Sequence, residues 1–297
     1  MTGAVLGTVA DIIVTGLIQG GVYALIALGL SLQYGVGRVL NVAHGEFIIL
    51  AALGTWSLGR VGVNPILAVV VVAPLLFALG FVIDRWLIAR LRRTSVSADQ
   101  FEGRSLLASF GLLYVLQNLM LQLWDANVKG YDFLNGSVPI LGNRYRLNSV
   151  VALGVSVVVT FTFYWWIRRS RTGKAIRAAA ESPEMASVLG VDRRRVLALC
   201  FGLGAGLAAL AGVLYSMMFP FQPSKSIELT IVAIVVVVFG GLGSITGSLI
   251  GGFVLGLVIS VVNWFDPSLS LIAFYLIFVV MLLVRPSGLL GRQIHAA

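Results

Sequence analysis

Long apolar runs alternate with short polar or glycine-rich interruptions along the whole chain. The first run covers 12–32 and ends at Tyr34-Gly35-Val36-Gly37-Arg38. A second covers 39–58 and a third 65–88, followed by a basic loop with Arg85, Arg90, Arg92, Arg93 and Arg104. A fourth run, 106–124, precedes a polar, turn-rich segment at 125–146 that holds Asn135-Gly136 and Pro139. The fifth and sixth runs cover 147–167 and 196–219. After a proline-containing turn at 220–225, the stretch 228–239 meets Gly240-Gly241-Leu242-Gly243-Ser244, and 245–262 and 269–284 complete the pattern. Runs of about twenty apolar residues match the thickness of a bilayer core. The pattern therefore predicts an all-α, polytopic transmembrane helical bundle of eight or nine spans. Glycine-rich broken or re-entrant segments near 34–45 and 240–248 leave the number open, because a half-helix that enters and turns back fits as well as a full crossing. Both breaks read aromatic, Gly-x-Gly, then an apolar helix, which suggests an internal repeat; chance similarity of glycine-containing helices is the alternative.

Composition excludes the soluble classes. With 59% apolar and 11% charged residues, a chain of this length has too much apolar surface to hide from water. The net charge of +9 does not point to nucleic acid, because the basic residues sit in loops between apolar runs. Thirty-four glycines suit close helix packing in lipid. Cys200 is the sole cysteine, so neither a disulfide framework nor a thiolate metal cluster is expected. The opening residues MTGAVLGTVADII lack the basic region of a cleavable signal, so the N-terminus is expected to be mature. The two arginine-rich loops, 85–104 and 168–195, are expected on the cytoplasmic side. The N-terminus and 125–146 then lie outside, and the C-terminal tail with Arg285 and Arg292 lies inside.

The loop 168–195 carries eight basic residues, Arg168, Arg169, Arg171, Lys174, Arg177, Arg193, Arg194 and Arg195, against Glu181, Glu184 and Asp192. Its middle, 178–190, reads as one short helix of small residues ending at Gly190, with Pro183 tolerated near its start. Lipid headgroups account for the arginines. They do not account for a helix, which suits a groove on a cytoplasmic partner whose movement tilts the adjoining spans.

Polar groups inside the runs are the other candidates. Asn41-Val42-Ala43-His44-Gly45-Glu46 opens the second run. Asn41 is a suitable N-cap, Glu46 suits a helix N-terminus, and His44 has Glu46 or a backbone carbonyl as a possible partner. Alternatively this half-helix end lines a pathway and faces a substrate carboxylate. Gln19 and Tyr23, four apart, share a face; with Asn41, His44 and Glu46 they are the candidate translocation path. Interhelical hydrogen bonding is the structural alternative for these groups and for Ser109, Gln117, Asn118 and Gln122. Glu46 is the only acid read as lying well inside a span, with Glu228 and Asp266 at span ends. The chain has two histidines, His44 and His295, and no H-E-x-x-H, G-x-S-x-G or G-x-x-x-x-G-K-[ST] sequence. It is therefore expected to be no enzyme and to bind no cofactor or metal, and any ATP-derived energy must come from another subunit.

Five stretches carry a family resemblance: Gly21-Val-Tyr-Ala-Leu-Ile-Ala-Leu-Gly29, Asn41 to Glu46, Ala180-Glu-Ser-Pro-Glu-Met-Ala-Ser-Val-Leu-Gly190, Ala205 to Gly212, and Gly240 to Ser248. Together they resemble the permease subunits of branched-chain amino acid ABC importers, of the LivH-like kind. The resemblance implies one permease domain over 1–297, including a cytoplasmic coupling loop at 168–195, in a bacterial inner membrane. It implies a second, related permease, two cytoplasmic ATPase subunits holding ATP and Mg, and a periplasmic binding protein that delivers leucine, isoleucine or valine. The coupling residues would be Glu181, Pro183, Glu184, Ala186, Leu189 and Gly190, and Gly240, Gly241, Gly243 and Ser244 would form the glycine-rich break. Permeases for urea, short amides or aromatic acids look alike, and a standalone secondary transporter is the reading from another class.

Overall fold

The computed structural model describes residues 2–285 and 287–290, with side chains from residue 7 onward. Arg292 and His295 lie outside the described residues. The helices are α1 (Thr2–Gly37), α2 (His44–Arg60), α3 (Pro65–Ile83), α4 (Ala89–Thr94), α5 (Ala98–Trp124), α6 (Leu147–Arg169), α7 (Arg171–Glu181), α8 (Pro183–Val188), α9 (Arg193–Met218), α10 (Lys225–Gly240), α11 (Ile245–Phe265) and α12 (Ser270–Val284). Asp84–Ile88 forms a π-turn that joins α3 to α4 without a break. Among the described residues seven helical stretches are long and apolar enough to cross a bilayer: Gly7–Gly37, Pro65–Thr94, Ala98–Trp124, Leu147–Arg169, Arg193–Met218, Ile245–Phe265 and Pro267–Val284. The expected eight or nine spans thus resolve into seven full-length helices and two shorter ones, α2 of 17 residues and α10 of 16.

Small residues decide which helices meet. On α1, Gly16, Gly20 and Ala24 recur every fourth residue and face Gly252 and Gly256 of α11. A methyl added at Gly20 would lie 2.8 Å from the Phe253 Cα, so the backbones touch where any side chain would separate them. Gly204 on α9 meets the Gly29 carbonyl of α1, and Gly212 meets the Ile48 carbonyl of α2. Helix α9 is the most enclosed of the long spans, against α1, α2 and α3, while α12 is the least.

The first break differs from its sequence expectation in position. Helix α1 runs through Gly35 and Gly37, and the chain leaves helical geometry only at Arg38, where φ is +54°. Residues 38–43 form the non-helical segment, with Val39, Asn41 and Ala43 buried. Non-helical backbone at membrane depth requires such enclosure, because lipid offers its polar groups no partner. At the second break Gly241 and Gly243 take φ of +109° and +78°, and Ser244 caps α11 by accepting from the Gly247 N–H at 3.0 Å. The two breaks pack on each other: a Cβ at Gly35 would lie 2.9 Å from the Gly243 Cα. Gly37 and Leu197 are neighbours there, so this contact belongs to the end of the bundle that carries the arginine-rich loops.

The opposite end is closed by a feature the sequence reading did not contain. Within the polar segment, β1 (Ser137–Ile140) and β2 (Asn143–Arg146) pair antiparallel, Ile140 opposite Asn143. The turn is Leu141-Gly142, both at positive φ, not the Asn135-Gly136 that its sequence advertised. The segment is tied to the bundle by Asn143 donating to the Gly7 carbonyl at 2.8 Å, Asn148 to the Met217 carbonyl at 2.7 Å, and Tyr131 bonding Ser216 at 2.7 Å.

Candidate functional site

The two short helices start inside the bundle, and their first turns meet. Gly45 presses on the Ser226 carbonyl, a contact only glycine permits. The Thr230 hydroxyl donates to the Val42 carbonyl at 3.0 Å and accepts from the Gly45 N–H at 2.8 Å. Val42 N–H also donates to Ser109 of α5 at 3.2 Å. These bonds satisfy the backbone of a non-helical segment and of a helix start that would otherwise be orphaned. The anticipated N-cap is not formed by Asn41. Its side chain accepts from the Ala43 N–H at 3.1 Å and so shapes the approach, while Ala43 occupies the cap position. His44 is fully buried and its Nε2 lies 3.0 Å from the Ile26 carbonyl of α1. A carbonyl can only accept, so Nε2 carries the proton and Nδ1 is left without a partner among the described residues. Of the two partners foreseen for His44, the backbone carbonyl is the one found.

Glu46 is fully buried and both its carboxylate oxygens lack a hydrogen bond among the described residues. Ser226 is beside it but donates to the Pro223 carbonyl at 2.8 Å instead. Asn41, His44 and Glu46 therefore sit in the interior of this chain, where His44 ties α2 to α1 and Thr230 ties it to α10. Gln19 and Tyr23 are partly exposed, one helical turn apart on α1. The five candidate path residues are thus divided between an enclosed knot and a partly open face.

Glu228, read from sequence as sitting at a span end, is in the first turn of α10, two residues from the Thr230 knot. It is recessed because the chain turns back inward after α9: Phe221 is buried and pairs with Lys129, and α10 starts within the bundle against Gly45. Glu228 and Lys225 pair at 2.7 Å, and both side chains remain partly exposed. Sequence offered one signal for this, an i,i+3 pair of opposite charge beside an apolar stretch.

At the arginine-rich end the loop between α6 and α9 is two helices, not the single one expected over 178–190. Pro183 accounts for the split. The residue before a proline is driven out of the helical region, and Ser182 is extended at φ −147°, ψ 96°. Pro183 then occupies the first turn of α8, where its missing N–H costs nothing. Helix α7 is held on the bundle by buried Gly173, Ile176 and Ala179, and α8 by buried Ala186. Gly190, at φ +83°, ends the unit, and Asp192 caps α9 at 3.1 Å. Glu181, Glu184, Leu189 and Gly190 are exposed, Pro183 is half-buried and Ala186 is enclosed. What sequence did not disclose is the apolar crown of α8: Met185, Val188 and Leu189 are 66%, 82% and 81% exposed at the most basic end of the molecule. A half-buried ion pair supports the same end. Arg92 lies 3.6 Å from Asp84 on the π-turn, stacks over Phe101 of α5 at 5.0 Å and feels the charge of Arg193. At the hairpin end the Asn127 N–H, and then Lys129, hold the Asp125 carboxyl below the usual carboxylate range.

These features define a polytopic helical membrane subunit, with two short helices starting at its centre and a presented apolar helix at one end. Residues 12–284 match the family described as branched-chain amino acid transport system / permease component, and the chain belongs to that family. It is 32% identical over 298 residues to the high-affinity branched-chain amino acid transport system permease protein BraD of Pseudomonas aeruginosa, covering 94% of this chain and 95% of the relative. It is 31% identical to LivH of Escherichia coli, a permease protein of the same designation, covering 93% of this chain and 94% of the relative. The autoinducer 2 import system permease protein LsrC of Salmonella paratyphi B is 26% identical over 51% of this chain and 45% of its own length.

Proposed function

We propose that this chain is the membrane-spanning permease of an ATP-driven importer for leucine, isoleucine and valine. The observation that carries this reading is the family match over nearly the full chain, in a subunit with no nucleotide-binding sequence of its own. Its partners are a second, related permease, two ATPase subunits that hold ATP and Mg, and a periplasmic binding protein. The arginine-rich end faces the cytoplasm of a bacterial inner membrane, the hairpin and the N-terminus face outward, and the C-terminus is cytoplasmic. In that orientation α8 is the coupling element. Its exposed Met185, Val188 and Leu189 enter a groove on the ATPase, Glu181 and Glu184 flank them, and α7 passes movement of the ATPase to α6, α9 and α1 as a rigid body. The buried knot at His44 and Glu46 serves as the pivot that keeps α2 and α10 together. Native mass spectrometry after gentle extraction tests the assembly. The reading requires two ATPase subunits and a second permease to copurify; recovery of this chain alone, in a preparation able to retain weak complexes, contradicts it and favours a standalone carrier.

A further inference from the structure

The Lys225–Glu228 pair is charged, exposed and deep in the bundle. Glu228 precedes Gly240 by twelve residues, which puts it roughly 18 Å from the arginine-rich end of α10 at about 1.5 Å per residue. Tyr23 precedes Gly35 by the same twelve residues on α1, and Gly35 meets Gly243, so Tyr23 and Glu228 lie at one depth. In the other direction, α2 rises from its contact with Ser226 and Thr230 to Arg60, a further roughly 24 Å. The pair therefore sits near the middle of a hydrocarbon layer about 30 Å thick. Its side chains are 42% and 47% exposed. Facing lipid at that depth would cost each charge several kcal/mol, whereas the lipid-facing side of α12 has no charge between Ser270 and Val284. Charges at that depth instead require water or polar groups beside them.

Other groups converge on the same place from separate helices. Tyr23 of α1 and Tyr215 of α9 both feel the charge of Glu228, and neither hydroxyl is held by a side-chain hydrogen bond among the described residues. The Tyr23 ring meets Phe274 edge-on at 6.1 Å, which supplies an apolar wall. Toward the hairpin end, Gln19, Thr15 and Asp11 continue from Tyr23 at four-residue spacing, and Gln19 Oε1 has no hydrogen-bond partner among the described residues. We propose that Lys225, Glu228, Tyr23 and Tyr215 form a half-depth subsite that holds the two charged ends of a zwitterionic α-amino acid in transit. Lys225 takes the carboxylate, Glu228 and the tyrosine hydroxyls take the ammonium, and the aromatic wall takes the branched side chain. The substrate class rests on the importer reading; the water-facing position does not.

The test is single-cysteine labelling of the assembled transporter with a membrane-impermeant cationic thiol reagent. The parent chain, whose Cys200 is buried, sets the background. Glu228→Cys, with Tyr215→Cys as a second variant should the first fail to assemble, is expected to label at least about tenfold faster than Val279→Cys on α12, and leucine is expected to slow it. In the Tyr215→Cys chain, adding Glu228→Gln is expected to raise the leucine concentration needed for protection about tenfold, the loss of one charge-assisted bond. Labelling no faster than at Val279→Cys overturns the water-facing position. Protection that is unchanged by Glu228→Gln overturns the ammonium assignment. A parent complex that moves no leucine while Glu228→Cys labels rapidly refutes the amino-acid reading and supports the recessed water-facing pair.

Discussion

Replacing Val188 and Leu189 by serine isolates the docking role of α8. Both side chains are more than four-fifths exposed in this chain, so they contribute almost nothing to its own folding. Exposed substitutions of this kind shift stability by about 0.5 kcal/mol or less. On docking, each side chain would hand roughly 60–80 Å² of apolar surface to the ATPase groove, worth about 1.5–2 kcal/mol at ~25 cal/mol per Å². The entropic cost of association is common to parent and variant, so the difference survives it. The pair then contributes about 3–4 kcal/mol, a weakening of roughly two to three orders of magnitude in the docking constant. The assay is titration of the purified ATPase subunit onto nanodisc-embedded permease, with thermal unfolding followed in parallel. Loss of docking at unchanged unfolding temperature is the expected result. Unchanged docking would refute the assignment of α8, and a joint loss of docking and stability would show that these side chains act within the permease.

Gly45→Ala drives a methyl into the Ser226 carbonyl and Thr230; overpacking of about 1–3 kcal/mol or more should lower the unfolding temperature by several degrees, read by a thiol-independent melt. Arg92→Ala leaves Asp84 buried and unpaired at a cost of about 3–5 kcal/mol, and adding Asp84→Ala should restore part of the lost melting temperature. Glu46→Gln removes a carboxylate that makes no hydrogen bond, so ATP-driven uptake should persist; abolished uptake would instead support a proton-coupled carrier. Because Asp125 is held below its ordinary range, the anchor it gives 125–129 is complete above that ordinary range and is lost as pH falls through the lowered value; amide exchange at Asn127 should therefore report less protection only in strong acid.

Long-range pairing separates what was legible in sequence from what was not. The seven long helices follow from apolar length alone, which lipid enforces residue by residue. The placement of the breaks did not follow, because Gly35 and Gly37 are tolerated in a helix and serve there for contact with Gly243, while the helix actually ends at Arg38. His44 and Glu46 were legible as unusual, yet whether they face a path or the interior depends on Ile26, Ser226 and Thr230, far away in the chain. Pro183 was visible and its consequence was local, a split of α7 from α8, but small flanking residues masked it as one helix. The exposure of Met185 and Val188 was not legible, since an apolar side chain in a loop is as often buried as presented. The depth of Glu228 was hidden for a similar reason: it depends on the inward return of 219–224, which the Lys129–Phe221 pairing fixes from the opposite hairpin segment.

The central claim is most directly tested by radiolabelled leucine uptake into proteoliposomes that contain this chain with its second permease, its ATPase subunits and the binding protein. Uptake that requires ATP on the ATPase side, is competed by isoleucine and valine and is silent without the binding protein is the predicted result. ATP-dependent uptake of urea or a short amide with no movement of leucine would contradict the substrate assignment, and uptake of leucine that follows an ion gradient without ATP would contradict the importer itself.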